Sequence, residues 1–174
     1  YATDTQQGSL QTIEGNHLVP ALPPGTFAGP NGIALSADEA WLFVADDQGI
    51  SRVALAEGWP TGPPRRLPAP PATARLGGID GLYTTNGSLI AIQNGLAGGD
   101  RILRLHLTAN ADSIAAVDTL LAAHPLWRIP TTGALVGPDF WYLANPQLDR
   151  LDAVGRLAPA ESLAATTLLR LRLR

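Results

Sequence analysis

An all-β fold of repeated antiparallel sheets is predicted for this chain by three observations. Short runs of β-branched, aromatic and Leu residues recur along it, turn signals separate them, and the whole pattern returns at nearly constant spacing. The first copy reads Asn31-Gly32-Ile33-Ala34-Leu35, then Trp41-Leu42-Phe43-Val44-Ala45-Asp46, then Ile50-Ser51-Arg52-Val53-Ala54-Leu55. A second runs Asp80-Gly81-Leu82-Tyr83, Leu89-Ile90-Ala91-Ile92-Gln93-Asn94 and Arg101-Ile102-Leu103-Arg104-Leu105-His106-Leu107. A third holds Thr132-Gly133-Ala134-Leu135-Val136 and Phe140-Trp141-Tyr142-Leu143-Ala144-Asn145. The glycines at 32, 81 and 133 stand 49 and 52 residues apart. Four antiparallel strands in about 50 residues is the arithmetic of a β-propeller blade.

A closing fourth run is expected near Arg65–Leu67, Ser113–Leu121 and Thr166–Leu173. In the second copy, Ile114, Val117, Leu120 and Leu121 also fit helical spacing. Repeat phase nevertheless assigns a strand, because a blade without its fourth strand leaves a long unpaired edge. The Pro-rich stretch from Trp59 to Pro71 then becomes a loop inside a blade. Leu169 to Arg174 alternates Leu with Arg, the period of a half-solvated outer strand. Tyr1-Ala2-Thr3-Asp4 aligns with Phe43-Val44-Ala45-Asp46, so the chain opens inside the second strand of a blade. The expectation is one partial propeller domain, residues 1–174, of about three and a half four-stranded blades with edges near 28, 76 and 129. With no Met at position 1, upstream sequence is expected to be missing.

Composition narrows the function. The 174 residues are 45% hydrophobic, enough for a sizeable core, and only 16% charged. All 12 basic residues are Arg and oppose 15 acidic ones, for a net charge of −3, which provides no general attraction to nucleic acid. The absence of Cys excludes disulfides, thiolate metal sites and cysteine nucleophiles. No apolar run reaches the length of a membrane span, and the compartment of a soluble chain stays open between cytoplasm and periplasm. Gly-x-Ser-x-Gly, His-Glu-x-x-His and Gly-Lys-Ser/Thr motifs are lacking. Gly95 to Asp100 is Gly-rich but precedes a strand, so it reads as a loop at the ring mouth and not as a phosphate cradle.

Repeat phase also gathers the polar residues. Neighbouring strands run antiparallel, so the start of an innermost strand and the end of the second strand share one end of the sheet. Asn31, Asp80 and Thr132 hold the first position. Asp46, Asn94 and Asn145 hold the second, with Gln93 adjoining. All six are therefore expected at one mouth of the ring, a concave polar site for a small-molecule ligand. Asn and Asp oxygens aimed at one point suit Ca²⁺, Mg²⁺ or Mn²⁺. Asn-Gly and Asp-Gly are equally common turn dipeptides, which leaves a purely local role for Asn31 and Asp80 open.

The stretch Gly29-Pro30-Asn31-Gly32-Ile33-Ala34-Leu35 with Leu42 to Asp46 resembles a blade of the SMP-30/gluconolactonase/LRE-like family of six-bladed propellers. Ile79-Asp80-Gly81-Leu82 resembles the next blade, and Pro130 to Gly133 with Tyr142 to Asn145 a C-terminal one. The resemblance implies a divalent cation in the mouth, Ca²⁺ first and Mg²⁺, Mn²⁺ or Zn²⁺ otherwise, and hydrolysis of sugar lactones or related esters. It implies metal ligation by Asn31 and Asp80 and a proton-accepting, catalytic role for Asp80. Thr132, Asn94, Asn145 and Asp46 are the expected substrate contacts. The family's third ligand, a Glu from an earlier blade, has no counterpart here, so missing N-terminal blades or a second chain are expected to close the ring. The rival reading is a non-catalytic NHL-like propeller that binds a ligand or protein as a scaffold.

Overall fold

The computed structural model describes residues 1–71, 75–94 and 99–173. They form four antiparallel sheets in chain order. The first joins β1 (Ala2–Asp4), β2 (Ser9–Glu14) and β3 (His17–Leu22). The second is built on β4 (Ile33–Leu35), β5 (Trp41–Asp46) and β6 (Gly49–Ala56), with the short β7 (Trp59–Pro60) and β8 (Arg65–Arg66) both paired to β6. The third holds β9 (Ile79–Thr85), β10 (Ser88–Gln93), β11 (Arg101–Leu107) and β12 (Ile114–Ala122) in a regular meander. The fourth comprises β13 (Gly133–Val136), β14 (Asp139–Leu143) and β15 (Leu168–Arg172). Residues 28, 76 and 129 lie in the gaps between sheets. The architecture is that of a partial β-propeller, all-β as the repeat predicts.

The continuous apolar runs of β5 and β10 follow from this stacking. Successive side chains leave a strand on opposite faces, and a sheet sandwiched between two others needs both faces apolar. Leu42 and Val44 pack with Leu10, Phe27 and Val53 toward the first sheet, while Phe43 and Ala45 pack with Leu82, Leu89 and Ala91 toward the third. Along β10, Leu89 and Ala91 join that same core, and Ile90 and Ile92 join Phe140, Tyr142 and Trp127 toward the fourth sheet. Each fully buried Leu or Ile contributes roughly 1.5–3 kcal/mol.

The outermost strands depart from uniform four-stranded blades. Residues 114–122 do form a strand, β12, with Ala111 and Ala123 in left-handed conformations (φ 51° and 50°) bracketing it. In the second sheet, Pro63, Pro64 and Pro68 flank β8 and cannot donate to a ladder, which trims that strand to two residues. The fourth sheet has three strands. β15 takes the third place and pairs directly with β14. The intervening chain forms 3-10 turns at Leu148–Arg150 and Ala160–Ser162 and a single bridge between Leu151 and Leu157. Pro146, Gly155 and Pro159 punctuate this segment and leave no run long enough for another strand.

Candidate functional site at the inner strand ends

The inner strands of neighbouring sheets approach closely. A Cβ on Gly32 would lie 3.0 Å from the Leu82 Cβ, and one on Gly81 would lie 2.7 Å from the Thr131 carbonyl oxygen. Glycine at both positions lets three backbones converge where the repeat places its polar residues. Asn31 is fixed there by its own N–H on the Ala45 carbonyl (2.9 Å). The hydroxyls of Thr3 and Thr5 bond the carbonyls of Asn31 and Pro30 at 2.8 and 2.7 Å.

Asp80 sits on a β-bulge. Gly81 pairs with Ile92, the register then shifts, and Gln93 pairs with Ile79, so Asp80 is the extra residue on β9. A bulge re-aims the side chain it carries. Here the carboxylate receives two neutral donors, one on each oxygen. Asn31 Nδ2 donates to Oδ1 at 2.8 Å and Asn94 Nδ2 donates to Oδ2 at 2.8 Å. Asn94 also donates to the Pro130 carbonyl at 2.8 Å, linking the third sheet to the approach of the fourth. Thus Asn31 and Asp80, 49 residues apart in sequence, touch, and Asn94 completes a cluster of one carboxylate and two carboxamides. Asn31 is exposed and Asp80 and Asn94 are partly buried.

The remaining expected site residues are placed differently. Thr132 is exposed beside this cluster in sequence, next to the Thr131 carbonyl that faces Gly81, and its own carbonyl accepts from Leu143 N–H. Asp46 is buried and makes a two-pronged ion pair with Arg66, Nη1 to Oδ1 at 2.7 Å and Nη2 to Oδ2 at 2.9 Å. It also accepts the Gln48 N–H at 2.9 Å. Asn145 is buried as well. It donates to the Ala165 carbonyl (2.9 Å) and accepts from Thr167 N–H (2.6 Å), pinning the return of the chain into β15. Gln93 plays the matching part in the third sheet, with bonds to the carbonyls of Arg75 and Gly77 at 2.7 and 2.6 Å and from Arg101 Nε at 3.0 Å. Asp46, Gln93 and Asn145 are therefore clasps at the ends of second strands. The Gly95 to Asp100 loop falls largely on residues 95–98, outside the described residues.

Tyr83 supports the cluster from behind. Its hydroxyl accepts the Gly133 N–H at 2.6 Å, and its ring packs on Phe140 with centroids 5.0 Å apart. Burial raises the Tyr83 phenol above its ordinary value of 10.0. The Gly133 N–H opposes that shift and the negative charge of Asp80 adds to it.

The donor set tests the cation expectation. Asp80 and the amides of Asn31 and Asn94 offer hard oxygens, the ligand type Ca²⁺ and Mg²⁺ take. Among the described residues no group of three or more His, Asp and Glu side chains is placed to hold a metal ion. In the structure both carboxamides turn Nδ2 and not Oδ1 toward Asp80, so the cluster as hydrogen-bonded presents one carboxylate to a cation.

No protein-family model and no curated protein matches the chain. Solved structures do. The calcium-binding protein regucalcin from Agrobacterium tumefaciens superposes with a TM-score of 0.57 at 18% identity, over 81% of this chain and 46% of that one. A luciferin-regenerating enzyme gives 0.56 at 16%, over 88% and 47%. The PQQ-bound aldose sugar dehydrogenase of Streptomyces coelicolor gives 0.50 at 17%, over 97% and 55%. All three are six-bladed propellers, so the class is shown at the level of fold. The chain spans about half the length of each. Their activities differ, and identity this low carries none of them over. No helix among the described residues is long and apolar enough to cross a membrane.

Proposed function

We propose that this chain is part of a propeller whose mouth holds a divalent cation, Ca²⁺ first, on Asn31, Asp80 and Asn94. We further propose that the completed ring hydrolyses sugar lactones or related esters. The observation that carries the reading is the Asn31–Asp80 contact of 2.8 Å across two sheets. A turn role for each Asx-Gly pair requires only local bonds, whereas Asp80 accepts from both Asn31 and Asn94. A carboxamide exchanges Nδ2 for Oδ1 by a half-turn of its terminal torsion, so the same three side chains can offer either hydrogen-bond donors or oxygens. Blade edges near 28, 76 and 129 and the need for further blades or a second chain belong to the same proposal.

A bound cation supplies Lewis-acid polarisation of a carbonyl oxygen. The chain's own residues do the rest. Asp80, its carboxylate held by neutral donors, accepts a proton from water near the substrate. Asn94 and Thr132 contact the substrate at the mouth. For Asp46 and Asn145 the internal bonds leave a positioning role.

Calorimetric titration with Ca²⁺, Mg²⁺, Mn²⁺ and Zn²⁺ tests the reading. The expected outcome is saturable binding by the wild type and none by Asp80→Ala, with lactone turnover by the complete protein lost in the same variant. Absence of binding for all four ions would return the chain to the NHL-like scaffold reading.

A further inference from the structure

Across the third sheet, at the strand ends opposite the mouth, three polar side chains form a line. Ser88 opens β10, whose other end at Gln93 leads into Asn94, and it pairs across the ladder with His106 on β11. Ser88 Oγ lies 3.5 Å from His106 Nδ1, and His106 Nε2 lies 2.8 Å from Asp118 Oδ2 on β12. The three residues stand 18 and 12 positions apart on three strands, so no short motif announces them.

The order hydroxyl, imidazole, carboxyl is that of an activated nucleophile with its base and the group that orients the base. With the imidazole proton on Nε2 and donated to Asp118, the Nδ1 lone pair faces the Ser88 hydroxyl, and an oxygen acceptor at Nε2 is what selects this tautomer. Contacts between such a hydroxyl and its base are commonly looser without substrate. Ser88 is only 6% exposed, whereas the His106 and Asp118 side chains are 39% and 57% exposed. The nucleophile is therefore sheltered while its base stays within reach of water.

The line ends in a cavity. A space of about 410 Å³ opens between the third and fourth sheets, with Asn86, Ser88, Arg104 and His106 on one wall and Pro138 and Leu173 on the other. Ile90 and Ile92, on the same face of β10 as Ser88, pack with Phe140 and Tyr142 and separate this space from the ring mouth. Nucleophile and base thus share one wall of a volume ordinary for a small-molecule site. The two walls suit the two parts of an ester. Pro138 and Leu173 face the acyl chain, and Asn86, two residues before the serine, offers carboxamide N–H groups to a carbonyl oxygen on which charge develops.

We propose that Ser88 is the nucleophile of a second site, independent of the mouth, that cleaves small carboxylic esters. Ser88 Oγ bonds to the ester carbonyl carbon while its proton passes to His106 Nδ1. The C–O bond to the leaving alcohol then breaks, and the alkoxide takes that proton. Water attacks the acyl carbon next, giving a proton to the same nitrogen, and this proton returns to Ser88 Oγ as the acid leaves. The test treats the full chain with a fluorophosphonate probe and locates the adduct by peptide mass spectrometry, with p-nitrophenyl acetate hydrolysis measured alongside. The expected result is one phosphonylated residue, Ser88, and neither adduct nor hydrolysis in Ser88→Ala. His106→Gln should slow both by about 10²-fold or more, the share a general base supplies. Asp118→Asn should slow both by a smaller factor, and both variants should keep a thermal midpoint near that of the wild type because these side chains are largely solvated. No adduct in the wild type, an adduct on another residue, or labelling of His106→Gln at the wild-type rate would each overturn the proposal. A chelator present throughout keeps this readout apart from the cation proposed at the mouth.

Discussion

Asp46 and Asp80 occupy corresponding ends of neighbouring sheets, yet their surroundings differ. Asp46 has a side chain only 1% exposed, and its charge is met by a guanidinium that is itself 37% exposed. Asp80 is partly open and its oxygens receive only neutral amides. The first arrangement is complete within the chain and closes an outer loop onto the sheet. The second leaves the carboxylate's charge without a cation among its hydrogen-bond partners. Burial with a charged partner marks a structural carboxylate, and convergence of neutral polar groups from separate sheets marks a candidate site.

Substitutions should separate the two. Asp46→Ala strips Arg66 of its partner and is expected to cost about 2–3 kcal/mol in urea unfolding, less than a fully buried pair because water reaches the Arg66 side. Gly81→Ala forces a methyl against the Thr131 carbonyl and should cost about 2 kcal/mol by the same measurement, while weakening any Ca²⁺ binding at the mouth. Arg52→Ala removes the stack on Trp41 and the bond to Asn110, for about 1 kcal/mol. Asp80→Ala is expected to cost less than about 1 kcal/mol, since its partners can turn to water. If Asp80→Ala destabilises the chain more than Asp46→Ala does, the contrast between the two carboxylates fails.

The smallest effect concerns Tyr83. Its phenol pKa is raised in the folded chain, so its contribution to stability is present below pH 10.0 and is lost as pH rises through the folded-state value. Asp80→Asn removes the negative charge that adds to the shift and should move the Tyr83 absorbance titration to lower pH. An unchanged titration would separate the phenol from the Asp80 charge.

Much of this architecture is legible in the sequence because period-two side-chain alternation and a 49-residue repeat act together. The glycines at 32 and 81 mark where inner strands converge, and Asn31 and Asp80 can be paired from repeat phase alone. The repeat also outweighs helical spacing at Ile114 to Leu121, where pairing with β11 decides the conformation. Other features depend on register and long-range contacts, which a pattern of residue types does not encode. The bulge that frees Asp80 is a shift between Ile92 and Gln93, invisible in residue types. The Arg66 clasp on Asp46 crosses from β8 to β5, and only the neighbouring Arg65-Arg66 pair hints at it. Asn145 looks like a mouth residue by phase, but the three-stranded fourth sheet turns it into an anchor for the returning chain.

The most direct measurement is a crystal structure of the chain grown with Ca²⁺. The account predicts one ion bonded to oxygens of Asn31 and Asp80 at about 2.3–2.6 Å, with the Asn31 amide turned from donor to ligand. An unaltered Nδ2–Oδ1 hydrogen bond with no ion beside it, or an ion bound elsewhere, would contradict it.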